Sequence, residues 1–186
     1  MTNGISPIVC GGPRRVDTIS GERTRSAHRV NKRNVNPAIL KVLTYEVLSS
    51  YCPEPECRIY TNGSLLPKQI PPTNAGAGVF SDAFSFYAPV RQRSAFDGEI
   101  AAIRIALVQL QCHIDLFKKA VVLCDTRAAL PAIASLNNPL TRDILDCRFQ
   151  LTKYLAFLKT IVLQWIPVHC EFTVNENADY LAKKGP

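Results

Sequence analysis

Ala120-Val-Val-Leu-Cys-Asp125 is the stretch on which the reading of the fold turns. Five uncharged residues ended by one aspartate read as a strand buried on both faces, which is how a parallel strand inside an α/β layer looks. Helical spacing flanks it on both sides. Upstream, Ile100, Ile103, Leu107 and Leu110 make one face of a helix over 99–112. Downstream, Ile144, Cys147, Leu151, Leu155 and Leu158 stay in register over 142–158, after a short helix over 128–136 that Pro131 interrupts. Ile161 to Ile166 reads as a last strand and Glu176 to Lys184 as a closing helix. Before residue 99 the period drops to two. Arg58 to Thr61 is a strand, Gly63-Ser64 opens a turn, and strands over 75–81 and 83–90 follow a proline-bearing loop. Short strands joined this way form an antiparallel meander. The whole order predicts a mixed sheet with right-handed helical crossovers and helices on its faces.

Charge divides the chain differently. Its net charge is +7, of which residues 1–36 hold +5 and residues 37–186 only +2. Residues 1–35 are basic, polar and aperiodic, and are expected to form a disordered arm. A basic arm on a nearly balanced domain suits a polyanion, although a solvated tail explains it equally well. Asn36-Pro37 reads as an N-cap and first helical position. Ile39, Leu40, Leu43, Val47 and Leu48 then give a linker helix over 36–52, and Pro53 and Pro55 mark the start of a domain over 57–186. The seven cysteines are odd in number and lack paired metal-ligand spacing, so reduced thiols in an intracellular compartment, cytoplasmic or nuclear, are expected. Cys112 and Cys124 sit in apolar runs, where a thiol packs as a small hydrophobe. No run approaches the roughly 18 apolar residues of a membrane span.

Chemistry in such a sheet gathers beyond the carboxyl ends of parallel strands. Asp125 lands on that rim directly after its strand, and Asn62 does the same after the first strand. Glu99 falls in the first turn of its helix, beside the core position Ile100, and Asp179 lies in the closing helix. Each has a plain structural explanation: Asp125 as a helix cap, Glu99 as a partner of a helix N-terminus, Asp179 as a solvated acid. Gathered together, the acids would repel unless a hard divalent cation neutralised them.

In their order and spacing, the blocks Ile59-Tyr-Thr-Asn-Gly-Ser64, Asp97-Gly-Glu-Ile100, Val122-Leu-Cys-Asp-Thr126, Trp165-Ile-Pro-Val-His169 and Asn175-Glu-Asn-Ala-Asp179 resemble the type 1 ribonuclease H family. They resemble in particular the ribonuclease H domains of non-LTR retrotransposon polyproteins. The resemblance covers roughly residues 57–184 and implies a five-stranded ribonuclease H-like sheet flanked by helices. It also implies hydrolysis of the RNA strand of an RNA–DNA hybrid at two magnesium ions, with manganese as a substitute. Carried over by position, the metal ligands would be Asn62, Glu99, Asp125 and Asp179, and His169 would be the loop histidine that assists proton transfer or product release. An upstream reverse transcriptase is implied as a partner in relatives. Asn62 stands where the family has an aspartate, so a neutral carbonyl replaces an anionic oxygen. Val168, Glu171 and Val174 stand where retroelement relatives often have glycine. Asn74, Ser64, Gln92, Arg127 and the arm are the donors available to phosphates and 2′-hydroxyls. Three readings stay open on the residues alone. They are an endonuclease impaired at Asn62, a catalytically inactive nucleic-acid-binding or structural module from a retroelement, and an unrelated α/β binding protein.

Overall fold

The computed structural model describes residues 8–10, 16–18, 38, 42, 45, 56–65, 74–90, 94–135, 137–139, 141–166 and 173–184. Two short strands come first, β1 (Ile8–Cys10) and β2 (Val16–Thr18). The meander follows as β3 (Cys57–Leu65), β4 (Ala75–Ser81) and β5 (Ser85–Val90). Helix α1 (Ala95–Cys112) leads to β6 (Lys119–Cys124), then α2 (Ala129–Ala134), α3 (Arg142–Ala156), β7 (Thr160–Trp165) and α4 (Thr173–Lys184). The strands lie in the order β2-β1-β7-β6-β3-β4-β5. Five of them, β7-β6-β3-β4-β5, are the expected mixed sheet: β3 to β5 pair antiparallel, while β6 runs parallel to both β3 and β7.

Side-chain alternation sorts the helices between the two faces. Ile59, Val122, Cys124, Ile161 and Leu163 pack with α1, α2 and α3. Tyr60, Val121, Leu123, Val162 and Ile166 pack with Ala178 of α4. Strand β6 is buried along both faces, as its unbroken apolar run requires. Among the described residues no helix is long and apolar enough to cross a membrane.

Four expectations are corrected. The arm is not wholly without structure, because Ile8–Cys10 and Val16–Thr18 add two strands beyond β7, where β-prone residues meet a ladder that would otherwise end. Gly63 and Ser64 do not open a turn. They continue β3 and pair with Ala77 and Gly76. Cys112 is exposed at the end of α1 instead of packed. Finally, α3 stops at Ala156, and Leu158 leaves its apolar face for a left-handed position at φ 55°. There the Leu158 N–H donates to Leu155 O and the Lys159 N–H to Tyr154 O, the paired bonds that close a helix end. Of the linker helix, Ala38, Val42 and Tyr45 are described, and all three are helical and exposed. Its expected apolar face lies outside the described residues.

Candidate active site

The site begins where the sheet becomes uneven. The parallel ladder between β3 and β6 ends at Thr61 and Cys124, and that between β6 and β7 ends at Cys124 and Trp165. On its other side β3 continues to Leu65 beside β4. Asn62 and Asp125 are therefore the first residues past the step. Asn62 Nδ2 donates to Asp125 Oδ2 at 3.4 Å, and Thr126 Oγ1 donates to Asp125 Oδ1 at 3.3 Å. The Trp165 indole N–H donates to the Asp125 carbonyl at 2.9 Å, fixing the backbone at the strand end. Asp125 does not cap α2, whose N-cap position, Ala128, has no side-chain hydrogen bond.

Glu99 arrives on α1, which starts a turn earlier than its apolar spacing suggested. Ser94 is the N-cap, and its hydroxyl and the Asp97 carboxylate satisfy each other's backbone N–H groups. Glu99 is thus the fifth helical residue instead of a first-turn one. The helix lies almost on the strand. A Cβ at Gly63 would come within 2.2 Å of the Glu99 nitrogen, and one at Gly98 within 2.7 Å of the Gly76 carbonyl oxygen. Glycine is needed on both surfaces, which explains Gly63 within a strand.

This close approach leaves Glu99 with 0% of its surface exposed. Its Oε1 lies 2.7 Å from Thr61 Oγ1, while Oε2 is buried with no partner among the described residues. Burial first, then the charge of Asp125, push its pKa up to about 8, against a smaller opposing effect of the Thr61 hydroxyl and the Gly63 N–H. The Thr61 hydroxyl is also 3.1 Å from Leu123 O, and its single hydrogen cannot serve both acceptors. A neutral Glu99 resolves the conflict, because it donates to Thr61 Oγ1 while Thr61 donates to Leu123 O.

The remaining candidates are placed less directly. Asp179 lies on α4, which is pressed against β4 so closely that a Cβ at Gly78 would be 2.1 Å from Ala178 O. Gly78 is the strand partner of Asn62, so Asp179 follows a residue seated beside the site. Its carboxylate accepts a hydrogen bond from Lys183 Nζ one turn on. His169, Gln92 and the altered loop at Val168 and Glu171 lie outside the described residues, as does the side chain of Val174. Ser64 is buried, its Oγ without a partner among the described residues, so it is not the open donor expected. Arg127 is exposed two residues after Asp125. Thr61, Gly63 and Gly98 were missed as site residues. The signal for the glycines was present, since a glycine inside an apolar strand marks close approach as readily as a turn.

For a divalent cation this donor set is partly built. Glu99 and Asp125 supply two carboxylates that feel each other's charge, one with an orphaned oxygen. Asn62 instead turns an N–H towards Asp125, placing a donor where a shared pair of ions needs an anionic acceptor. No group of three or more His, Cys, Asp or Glu side chains gathers for a metal among the described residues. The described set supplies two carboxylates, and at position 62 it lacks the anionic oxygen that would strengthen binding of a pair of ions.

The mixed five-stranded sheet with helices on both faces matches that of solved structures. The fold is that of ribonuclease H. The chain is similar to prototype foamy virus protease-reverse transcriptase at TM-score 0.55 and 20% identity, over 71% of this chain and 21% of that one. It is similar to foamy viral protease-reverse transcriptase in complex with RNA/DNA hybrid at 0.56 and 17%, over 71% and 20%. It is also similar to LC11-RNase H1, isolated from compost, at 0.52 and 17%, over 69% and 96%. The chain thus spans about a fifth of the foamy virus protein but nearly the whole of a free-standing ribonuclease H1. No protein-family model matches the sequence, and no curated relative matches it.

Proposed function

We propose that this chain is a ribonuclease H-like domain that engages RNA–DNA hybrid and whose hydrolysis of the RNA strand is impaired by Asn62. The observation that supports it best is the wholly buried, half-unpartnered carboxylate of Glu99 set beside Asp125 at the strand rim. A structural acid in that position would be costly, and perturbed carboxylates of this kind concentrate at working sites. Glu99, Asp125, Asp179 and the Asn62 position would hold divalent ions, magnesium with manganese as substitute. When bound, such ions stabilise charge on the attacking and leaving oxygens of a phosphodiester.

The chain's own residues do the positioning. Thr61 and Gly63 hold the Glu99 carboxylate, and Trp165 anchors the Asp125 backbone. Arg127, exposed two residues after Asp125, is proposed as a donor to a phosphate. His169 is proposed to assist proton transfer or product release from the following loop. Recognition would rest on A-form shape, phosphates and 2′-hydroxyls, not base sequence. An upstream reverse transcriptase and a retrotransposon origin belong to the same proposal, in keeping with the likeness to a protease-reverse transcriptase.

The test is cleavage of a labelled hybrid by the chain and by Asn62→Asp, with Mg²⁺ and Mn²⁺ compared. Restoring the anionic oxygen should raise the rate by roughly 100-fold or more, because several kcal/mol of charge stabilisation return. A folded Asn62→Asp that binds hybrid yet stays inactive with both ions would sink the hydrolytic reading and leave a binding module.

A further inference from the structure

Helix α3 carries a second apolar face. Its inner one, Ile144, Cys147, Leu151 and Tyr154, is buried in the core. Leu145, Phe149, Thr152 and Ala156 repeat at helical spacing on the other side. All four are exposed, Leu145 to 51% and Phe149 to 59%. Phe157 follows at the C-cap, 53% exposed. The Thr152 hydroxyl donates to Arg148 O at 2.9 Å, which ties up its polar atom and lets it count as small and apolar. A helix packed on one face ordinarily turns charge outward on the other. A contiguous apolar stripe there marks a contact with another molecule.

Two features of the stripe point to what that molecule is. Its side chains are graded in size, with Leu145 and Phe149 towards the N-terminus and the smaller Thr152 and Ala156 towards the C-terminus. Charge is ordered as well. Arg142, Asp146 and Lys153 run along one flank, and Lys153 Nζ lies 4.7 Å from the centroid of the Phe149 ring. Among the described residues neither Asp146 nor Lys153 has an ion-pair partner. They stand two turns apart, roughly 10 Å along the axis, so they cannot meet within one helix. Two α3 helices packed antiparallel, about a two-fold axis near Phe149 and Gln150, satisfy both orders at once. Leu145 of each copy falls between Thr152 and Ala156 of the other, large against small. Asp146 of each copy meets Lys153 of the other, and Arg142 comes beside the other Phe157 ring. Such an axis brings the same flank of both helices together, so each of these contacts is made twice.

We propose that the outer face of α3 is the interface of a two-fold dimer of this chain, closed by antiparallel packing of the two α3 helices. The apolar stripe supplies the burial, and the Asp146–Lys153 pairs set the direction and register, as flanking charges do in helix pairs. About three turns of helix lie at the lower end of specific interfaces, so association is weak and reversible. None of the candidate site residues belongs to the stripe. The inference does not rest on the hydrolytic reading.

The test is sedimentation equilibrium of the full chain in reducing buffer, from micromolar to near-millimolar concentration. The parent should pass from monomer to doubled mass along the series. Asp146→Lys and Lys153→Asp each set like charges together twice, and each should raise the dissociation constant at least about tenfold. The double variant restores the pairs with reversed sign and should return to within about threefold of the parent. A parent that is monomeric throughout would overturn the proposal and leave the stripe to a different partner. So would single variants that dimerise like the parent, or a double variant no better than either single. Should a charge variant lose its circular dichroism spectrum, Phe149→Glu replaces it, because Phe149 is exposed and meets its own counterpart near the axis. That variant should stay monomeric across the series, and dimerisation at the parent's level would likewise overturn the proposal.

Discussion

Glu99 keeps its proton because burial and the neighbouring charge of Asp125 act together against ionisation. The folded chain therefore retains a proton that the unfolded chain releases once pH passes its ordinary value of 4.5. In metal-free buffer, stability should fall as pH rises from 4.5 to about 8 and level off beyond. The slope reaches about 1.4 kcal/mol per pH unit at most. Glu99→Gln cannot ionise and should flatten this dependence. Urea unfolding of both chains with chelator, at about pH 5 and about pH 8.5, measures it, and equal slopes would disprove the assignment to Glu99. The same reasoning covers Asn62. An aspartate there faces Asp125, so Asn62→Asp should lose stability with chelator and regain it when Mg²⁺ is added. The position of Asp125 was legible from its strand alone. The state of Glu99 was not, because burial depends on how closely α1 approaches β3.

That approach is decided at the level of elements. Gly63→Ala places a methyl against the backbone of α1, which no side-chain rotation can relieve. It should cost about 3 kcal/mol or more and lower the pKa of Glu99 as the helix lifts and admits water. A variant as stable as the parent would show that the seat is looser than described. The end of α3 makes the opposite case. Leu158 holds a left-handed backbone while 85% exposed, so Leu158→Gly removes strain and little burial. It should stabilise by about 0.5–1 kcal/mol after the greater freedom of the unfolded glycine is counted, readable as a higher urea midpoint at unchanged slope. Sequence periodicity found every strand and α-helix from β3 to α4, most of which bury a face with its own repeat, and missed the 3-10 turn Ile114–Leu116. It misjudged their ends, which depend on caps. The Ser94–Asp97 pair advanced α1 by a turn, and the closing bonds to Leu155 and Tyr154 cut α3 short.

At the scale of the molecule, charge and topology separate. The basic residues of the first 36 positions should make hybrid binding steeply salt-dependent through counterion release. Replacing Arg23, Arg25, Arg29 and Arg33 with Gln alters no residue of β1 or β2. It should flatten the plot of log affinity against log salt by about one unit for each phosphate that is no longer neutralised. An unchanged slope would assign the arm no part in binding. Topology has a stricter consequence. Glu99 takes both its hydrogen-bond partners, the Thr61 hydroxyl and the Gly63 N–H, from one strand at the point where its parallel neighbour has stopped. Moving β3 by one residue against β6 would turn Thr61 to the face of α4 and carry Gly63 out of reach. A mispaired sheet could still be compact, but its buried acid would stand without its partners, so that single proton reports whether the strands have been assembled in the right frame.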